Sequence, residues 1–382
     1  MRLHSGGFQT VGRDMPEQGR GLLPGLHGLR AVAALMVFLY HLHAIPGLQV
    51  PAALPWIATH FGFGVHLFFA LSAFALAWAN PHAAERPGPY LAKRFFRIAP
   101  LYYVVLAAVL VLSRAGWPGM ERFIAEVTFT FGLVPGWHPG LVPAGWTVGT
   151  EMLFYLLLPL LLRVRSIAGM AVAAALTTLL SYEARRLLTA WLPGSDYSLA
   201  SLPSNLSVFV AALLAFRIFE KVRRTAWEGR AAALAAAFTL GLLGLLLSPA
   251  GQLVEGPGDS RVLVFGYAFA AACLWQALRP SWLLRSRPAL WLGERSYSIY
   301  LSHFLLILTL RPAYGWVLGH LGQGGAAFLA CTAITLPPLC VAAALGYRLV
   351  EVPGIALGRR LIGRGGTIPG LGPLAGQERT RT

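Results

Sequence analysis

The chain has 382 residues, of which 56% are hydrophobic and only 12% charged, with a mean hydropathy of +0.62. Soluble globular chains carry about 25% charged residues, so an ordinary soluble enzyme is excluded. The formal net charge of +16 comes from 31 basic residues, all but Lys93 and Lys221 arginines; they cluster between apolar runs, which speaks against a nucleic-acid surface.

Residues 1–28 are polar and Gly-rich and lack the apolar core of a signal peptide. They are expected to form a flexible cytoplasmic tail, with Met15 an alternative start. Ten apolar runs follow, near residues 29–46, 61–80, 98–113, 150–163, 166–182, 200–219, 231–248, 261–278, 289–311 and 325–349. Most reach the roughly 20 residues that cross about 30 Å of hydrocarbon. The fourth is short, which predicts a tilted helix or one extended by its neighbours. Between the third and fourth, residues 121–137 (ERFIAEVTFTFGLVPGW) are apolar but broken by Thr, Gly and Pro, and predict an interfacial or re-entrant segment. Residues 354–382 read as a second flexible cytoplasmic tail. The expected fold is therefore all-α: a polytopic membrane protein of about ten helices forming one domain over 29–353.

Cytoplasmic loops are enriched in Lys and Arg. With the N-terminus in the cytoplasm, 25 basic residues fall inside and only Arg114, Arg122, Arg185, Arg186, Arg261 and Arg311 outside. A full crossing at 121–137 would move every later loop to the other side and weaken that bias. The expectation is a cell (inner) membrane protein with both termini cytoplasmic. Cys273, Cys331 and Cys340 lie in apolar stretches without a CxxC pattern and read as packing residues. There is no P-loop, HExxH, GxSxG or dinucleotide fingerprint, and no internal repeat.

Arg30 and His41 lie eleven residues apart in the first helix. Eleven residues turn about 1100°, three turns plus about 20°, so both side chains leave one face about 16 Å apart along the axis. Ionisable groups inside lipid-grade sequence are costly and face protein or water. The plain alternative is a snorkelling Arg and a hydrogen-bonded core His. Arg94 and Arg97 share a face at the inner mouth of the third helix, either as anchors or as anion ligands. Glu151, at the start of the fourth helix, is a helix-dipole partner or a proton-transfer group. His303 reads as a core histidine or a site residue, and Tyr297 and Tyr300 as packing or interface anchors.

Six blocks in order resemble the integral-membrane acyltransferase family 3 from about residue 25 to 353. They are the Arg30–His41 spacing, Gly64–Phe74 (GVHLFFALSAF), Arg94–Tyr103 (RFFRIAPLYY), Trp146–Glu151 (WTVGTE) with Phe154 and Tyr155, Leu292–His303 (LGERSYSIYLSH) and Tyr347–Pro353 (YRLVEVP). Departures are His27 and His66 where the family usually has Asp, Ala73 for Gly and Thr147 for Ser. The resemblance implies a carbohydrate O-acyltransferase type of enzyme. It would move an acyl group, acetyl being the expected one, from acyl-coenzyme A to a hydroxyl of a carbohydrate or glycosylated small molecule. His41 would be the general base or acyl-handling residue, with Glu151 orienting it or sharing the proton. Arg30, Arg94 and Arg97 would hold donor phosphates, and Trp146, Tyr155, Ser302 and His303 would contact the acceptor. A thioester is already activated, so neither a metal nor a resident cofactor is expected. Two other readings stay open: a transporter using Arg30, His41 and Glu151 as a proton relay, which inverted repeats would favour, and a lipid- or peptidoglycan-modifying enzyme of the same chemistry.

Overall fold

The computed structural model describes residues 21–112, 116–256 and 259–363, so most of the N-terminal tail (1–20) and residues 364–382 lie outside it. Among the described residues there are helices and turns but no strand. The helices that matter are α1 (Pro24–Ala44), α2 (Gly64–Ala79, entered through a 3₁₀ turn at Phe61–Phe63), α3 (Pro87–Leu112), α4 (Trp146–Leu161), α5 (Ile167–Trp191), α6 (Leu202–Val222), α7 (Glu228–Leu247), α8 (Arg261–Leu278), α9 (Ser296–Thr309), α10 (Arg311–Leu321), α11 (Gly325–Gly346) and α12 (Val352–Gly363). Eight helices are long and apolar enough to cross a membrane, and α9 with α10 make up to nine. The tenth expected run is α4, apolar but only 16 residues long.

Several boundaries differ from the expected ones. α1 starts at Pro24, five residues early, because Pro at the first helical position is already set for helix. The ninth run breaks: α9 and α10 meet at 61°. Pro312 stands in the first turn of α10, where it has no N–H to give to α9. The segment expected to be a tail from 354 is helical through Gly363, and α12 packs along α3, with Gly354 against Pro100 and Gly358 against Phe96.

Loop contacts sort the helix ends into two groups. At one end Trp78 donates to the Gly21 carbonyl, Arg165 pairs with Glu85 at 3.1 Å, Arg217 donates to the Leu162 carbonyl, and Tyr347 donates to Glu294. At the other, the Gln49 amide donates to the Gln323 side chain, and Arg185 donates to the Ser204 and Asp259 carbonyls. The chain alternates between these ends ten times. α3 leaves the first end at Glu85 and α4 returns there at Arg165, so the described residues 116–145 do not cross. They dip instead: Tyr102, ten residues (about 15 Å) before the end of α3, donates to Glu126 Oε1 at 2.5 Å. The same oxygen accepts from the Leu141 and Val142 amides. Fully buried Glu126 thereby stitches the short helix Met120–Val127 to the chain entering α4.

The core is built from stacked rings, Phe69 on Phe209 at 4.7 Å and Phe209 on Phe154 at 4.0 Å. Gly293, just before α9, lies against the His27 carbonyl of α1, where any side chain would collide. That close approach fixes α9 beside α1 and brings their functional residues together.

Candidate functional site

The first end of the bundle gathers Arg30 from α1 and Arg94 and Arg97 from α3. Arg30 and Arg94 both bear electrostatically on Arg97. Arg97, expected to hold donor phosphates, forms an ion pair with Glu351. Glu351 has no exposed surface and also accepts a hydrogen bond from the Ser298 hydroxyl of α9. The Arg97 guanidinium lies 6.0 Å from the Tyr297 ring centroid. Glu351 closes a π-helical turn, Tyr347–Glu351, between α11 and α12. Pro353 follows and has no N–H to offer Leu349, so the helical ladder is interrupted there.

Arg94 differs from Arg97. It makes no ion pair among the described residues, and its Nε is buried without a hydrogen-bond partner. Arg94 and Glu151 both act on the Tyr90 and Tyr155 hydroxyls, so α3 and α4 turn a guanidinium and a carboxylate toward the same tyrosines. Tyr155 is 4% exposed and turns its hydroxyl to Glu151 and Ser72. Expected to contact the acceptor, it shows little surface and is packed toward Glu151.

His41 sits at the other end of this line. Its Nδ1–H donates to the Val37 carbonyl at 3.0 Å. The neighbour is not Glu151, as expected, but His303 of α9, whose Nε2 is 3.2 Å from His41 Nδ1. The Tyr40 and Phe304 rings flank His41 edge-on at 5.2 and 5.7 Å. His303 is 1% exposed, and its Nδ1–H donates to the Tyr300 carbonyl. Tyr300 is itself tied to the start of α4: Thr147 donates to its hydroxyl at 2.6 Å, and that hydroxyl donates to the Ala144 carbonyl at 2.8 Å. Glu151 also bears on Tyr300, so it stands between the arginines and the histidine pair without touching the latter.

Of the other expected contacts, Trp146 is half-buried with its ring edge toward Phe69 at 6.1 Å. Ser302, expected to contact the acceptor, donates its hydroxyl to the Ser298 carbonyl of its own helix. Sequence reasoning assigned Glu351, Thr147 and Tyr90 no individual role, and Tyr300 was expected only as a packing or interface anchor. Glu351 had a legible signal, a lone carboxylate at the end of an apolar run, since buried charges are paired.

The arrangement is a basic mouth, a carboxylate beside it, and a histidine pair deeper along the same helices. The chain matches the acyltransferase domain family over residues 23–345. It is 30% identical to the acyltransferase MdmB of Streptomyces mycarofaciens, over 90% of this chain and 93% of that protein. It is 26% identical to the exopolysaccharide production protein ExoZ of Rhizobium meliloti, over 78% and 90%. It is 23% identical to the peptidoglycan O-acetyltransferase OatA of Listeria monocytogenes, over 77% of this chain and 50% of that protein. No solved structure matches the chain.

Proposed function

The chain belongs to the acyltransferase domain family, and on that premise we propose that it moves an acetyl-sized acyl group from acyl-coenzyme A to a hydroxyl of a carbohydrate or glycoside. It is a membrane acyltransferase; donor, acceptor and residue roles are the proposal. The observation that carries it is the separation of two chemistries along α1, α3 and α9. Arg30 and Arg94 make no ion pair among the described residues and lie at the end where positive charge collects, which suits the phosphates of a cytoplasmic donor. His41 lies about 16 Å along α1 from Arg30, which suits a donor whose phosphates and thioester are joined by a long arm.

The chemistry follows from the tautomer. Because His41 Nδ1 carries the hydrogen, Nε2 carries the lone pair, and it makes no hydrogen bond to any described residue. Nε2 takes the acceptor hydroxyl's proton as that oxygen attacks the thioester carbonyl carbon. The C–O bond forms, the C–S bond breaks, and the proton on Nε2 passes to the departing sulfur. Glu151 sets the field around Arg94 and the tyrosines. On this reading both termini are cytoplasmic and the protein sits in the cell membrane, which the charge bias supports.

The relatives named for exopolysaccharide production and peptidoglycan O-acetylation support a glycan acceptor. The test is radiolabelled acetyl-coenzyme A offered to the protein in nanodiscs, with mass spectrometry of surface glycans and secreted metabolites from a deletion strain to identify the acceptor. Label transfer that depends on the protein, and one acetyl mass missing from a glycan or glycoside of the deletion strain, are the expected results. A donor pool left intact by active, folded protein overturns the coenzyme A reading.

A further inference from the structure

We propose that His303 is the positioning residue for His41, acting as a neutral hydrogen-bond acceptor where a hydrolase would place a carboxylate. The proposal rests on the reading of His41 as the proton acceptor. It starts from two carbonyls. The Tyr300 carbonyl faces His303 Nδ1, and the Val37 carbonyl faces His41 Nδ1. A carbonyl oxygen only accepts, so each Nδ1 carries hydrogen, and each neutral ring then has its lone pair on Nε2. The contact between the rings, His303 Nε2 to His41 Nδ1 at 3.2 Å, is therefore lone pair to N–H, the longer arm of a hydrogen shared with the Val37 carbonyl at 3.0 Å. The reverse assignment would set a lone pair on His303 Nδ1 against the Tyr300 oxygen. Both carbonyls thus select the same tautomer pair.

His303 does not contact substrate, since its ring is enclosed. What it does is hold the His41 ring so that Nε2 points away from the protein partners and toward the reacting groups. When His41 takes the hydroxyl proton on Nε2, positive charge develops on the ring, and the Nδ1–H bond to His303 strengthens. His303 neither gains nor loses a proton; its own Nδ1–H remains on the Tyr300 carbonyl. No carboxylate or cation among the described residues bears on either ring: His41 feels no charged neighbour, and His303 feels only His41. The remaining titratable groups beside them are the Tyr40 and Tyr300 rings, at 5.2 and 5.6 Å. The position of His303 is inherited from α4 through Thr147 and Tyr300, which gives the WTVGTE block a part in aiming a residue on α1.

The test uses the full chain in nanodiscs, with kcat and both KM values measured across about pH 5–9. His303→Leu removes the acceptor and is expected to lower kcat about 10- to 100-fold, within the range of general acid–base effects, with both KM values within about twofold. His303→Gln presents an amide oxygen in the same region and is expected to recover kcat to within about fivefold. His303→Glu sets a negative charge against the forming imidazolium and is expected to move the acid limb of the pH–rate profile up by about one unit or more. A merely structural histidine would change the yield of folded protein and leave that limb in place. If His303→Leu does not fold, the Gln and Glu variants, which keep size and polarity, decide the matter. Loss of activity in His41→Ala with an unmoved pH limb in the His303 variants overturns this inference alone. Near-normal activity in His41→Ala overturns the reading it rests on as well.

Discussion

Arg97 of α3 and Glu351 of the π-turn are ion-paired across the junction of three helices, and Glu351 is entirely enclosed. Removing one member of a buried pair strands the other and costs about 3–5 kcal/mol, whereas removing both is far milder. Arg97→Ala and Glu351→Ala are each expected to lower the unfolding temperature in detergent substantially, and the double variant less than their sum. An Arg97→Ala protein as stable as the parent would return that guanidinium to the donor site.

Arg94 is the stronger candidate for the proposed donor site, because no carboxylate among the described residues pairs with it. Charge-assisted hydrogen bonds are worth roughly 1.5–3 kcal/mol, so Arg94→Ala is expected to raise the KM for acyl-coenzyme A about ten- to hundredfold. The acceptor KM should hardly move, and the unfolding temperature should stay near that of the parent. Steady-state kinetics with each substrate varied in turn distinguishes this from simple membrane anchoring, which predicts no change in donor dependence.

Glu126 sits outside the spanning helices, and burial pushes its carboxyl above the ordinary carboxylate range, against the hydrogen bonds from Tyr102, Leu141 and Val142. The folded state therefore holds this proton more tightly than the unfolded chain does. Its contribution is greatest below the ordinary carboxylate pKa and falls as pH rises through the raised one. Unfolding temperature recorded from about pH 4 to 8 should include this decline, and Glu126→Gln, which cannot titrate, should show a flatter curve. Equal slopes in the two proteins would mean that Glu126 is already ionised.

The parts of this fold legible in the sequence are those written in local patterns. The apolar runs matched helices, and the Pro- and Gly-broken stretch at 121–137 matched a segment that turns back. Arg30 and His41 could be paired because both lie on one helix. What escaped was set by contacts between distant residues. His303 meets His41 across 262 positions, and the partner of Arg97 lies in a turn created by Pro353. Glu151 seemed the natural partner for His41, but its influence falls on Tyr90, Tyr155 and Tyr300. The chain entering α4 is held by Glu126 at residues 141 and 142, a contact that no period of hydrophobicity reports.

Topology gives the next prediction. Eight helices are long and apolar enough to cross, nine with the bent pair; counting the short α4 as a further pass gives the expected ten, and the charge bias predicts that the Arg-rich end is cytoplasmic. Reporter fusions after residue 382 and in the loop at 192–196 should report opposite sides, the first cytoplasmic. Matching sides would overturn the ten-pass arrangement.

The chemical step itself turns on His41. A neutral imidazole accepts a hydroxyl proton near neutral pH, and only Nε2 of this ring is available. His41→Ala is expected to fold and reach the membrane while losing transfer by about 10²–10⁴-fold. Glu151→Gln should also lose activity, but by another route. It disturbs the Arg94 and tyrosine neighbourhood, so its effect should appear in the donor KM as well as in kcat. Residues that work as one unit show losses that do not add, while separated ones add. The His41 and His303 losses should therefore overlap in a double variant, and those of His41 and Glu151 should accumulate. These double variants, assayed for label transfer with enough enzyme to read a residual rate, decide which residue partners the base. Overlap between His41 and Glu151 would restore the carboxylate to that role and displace His303.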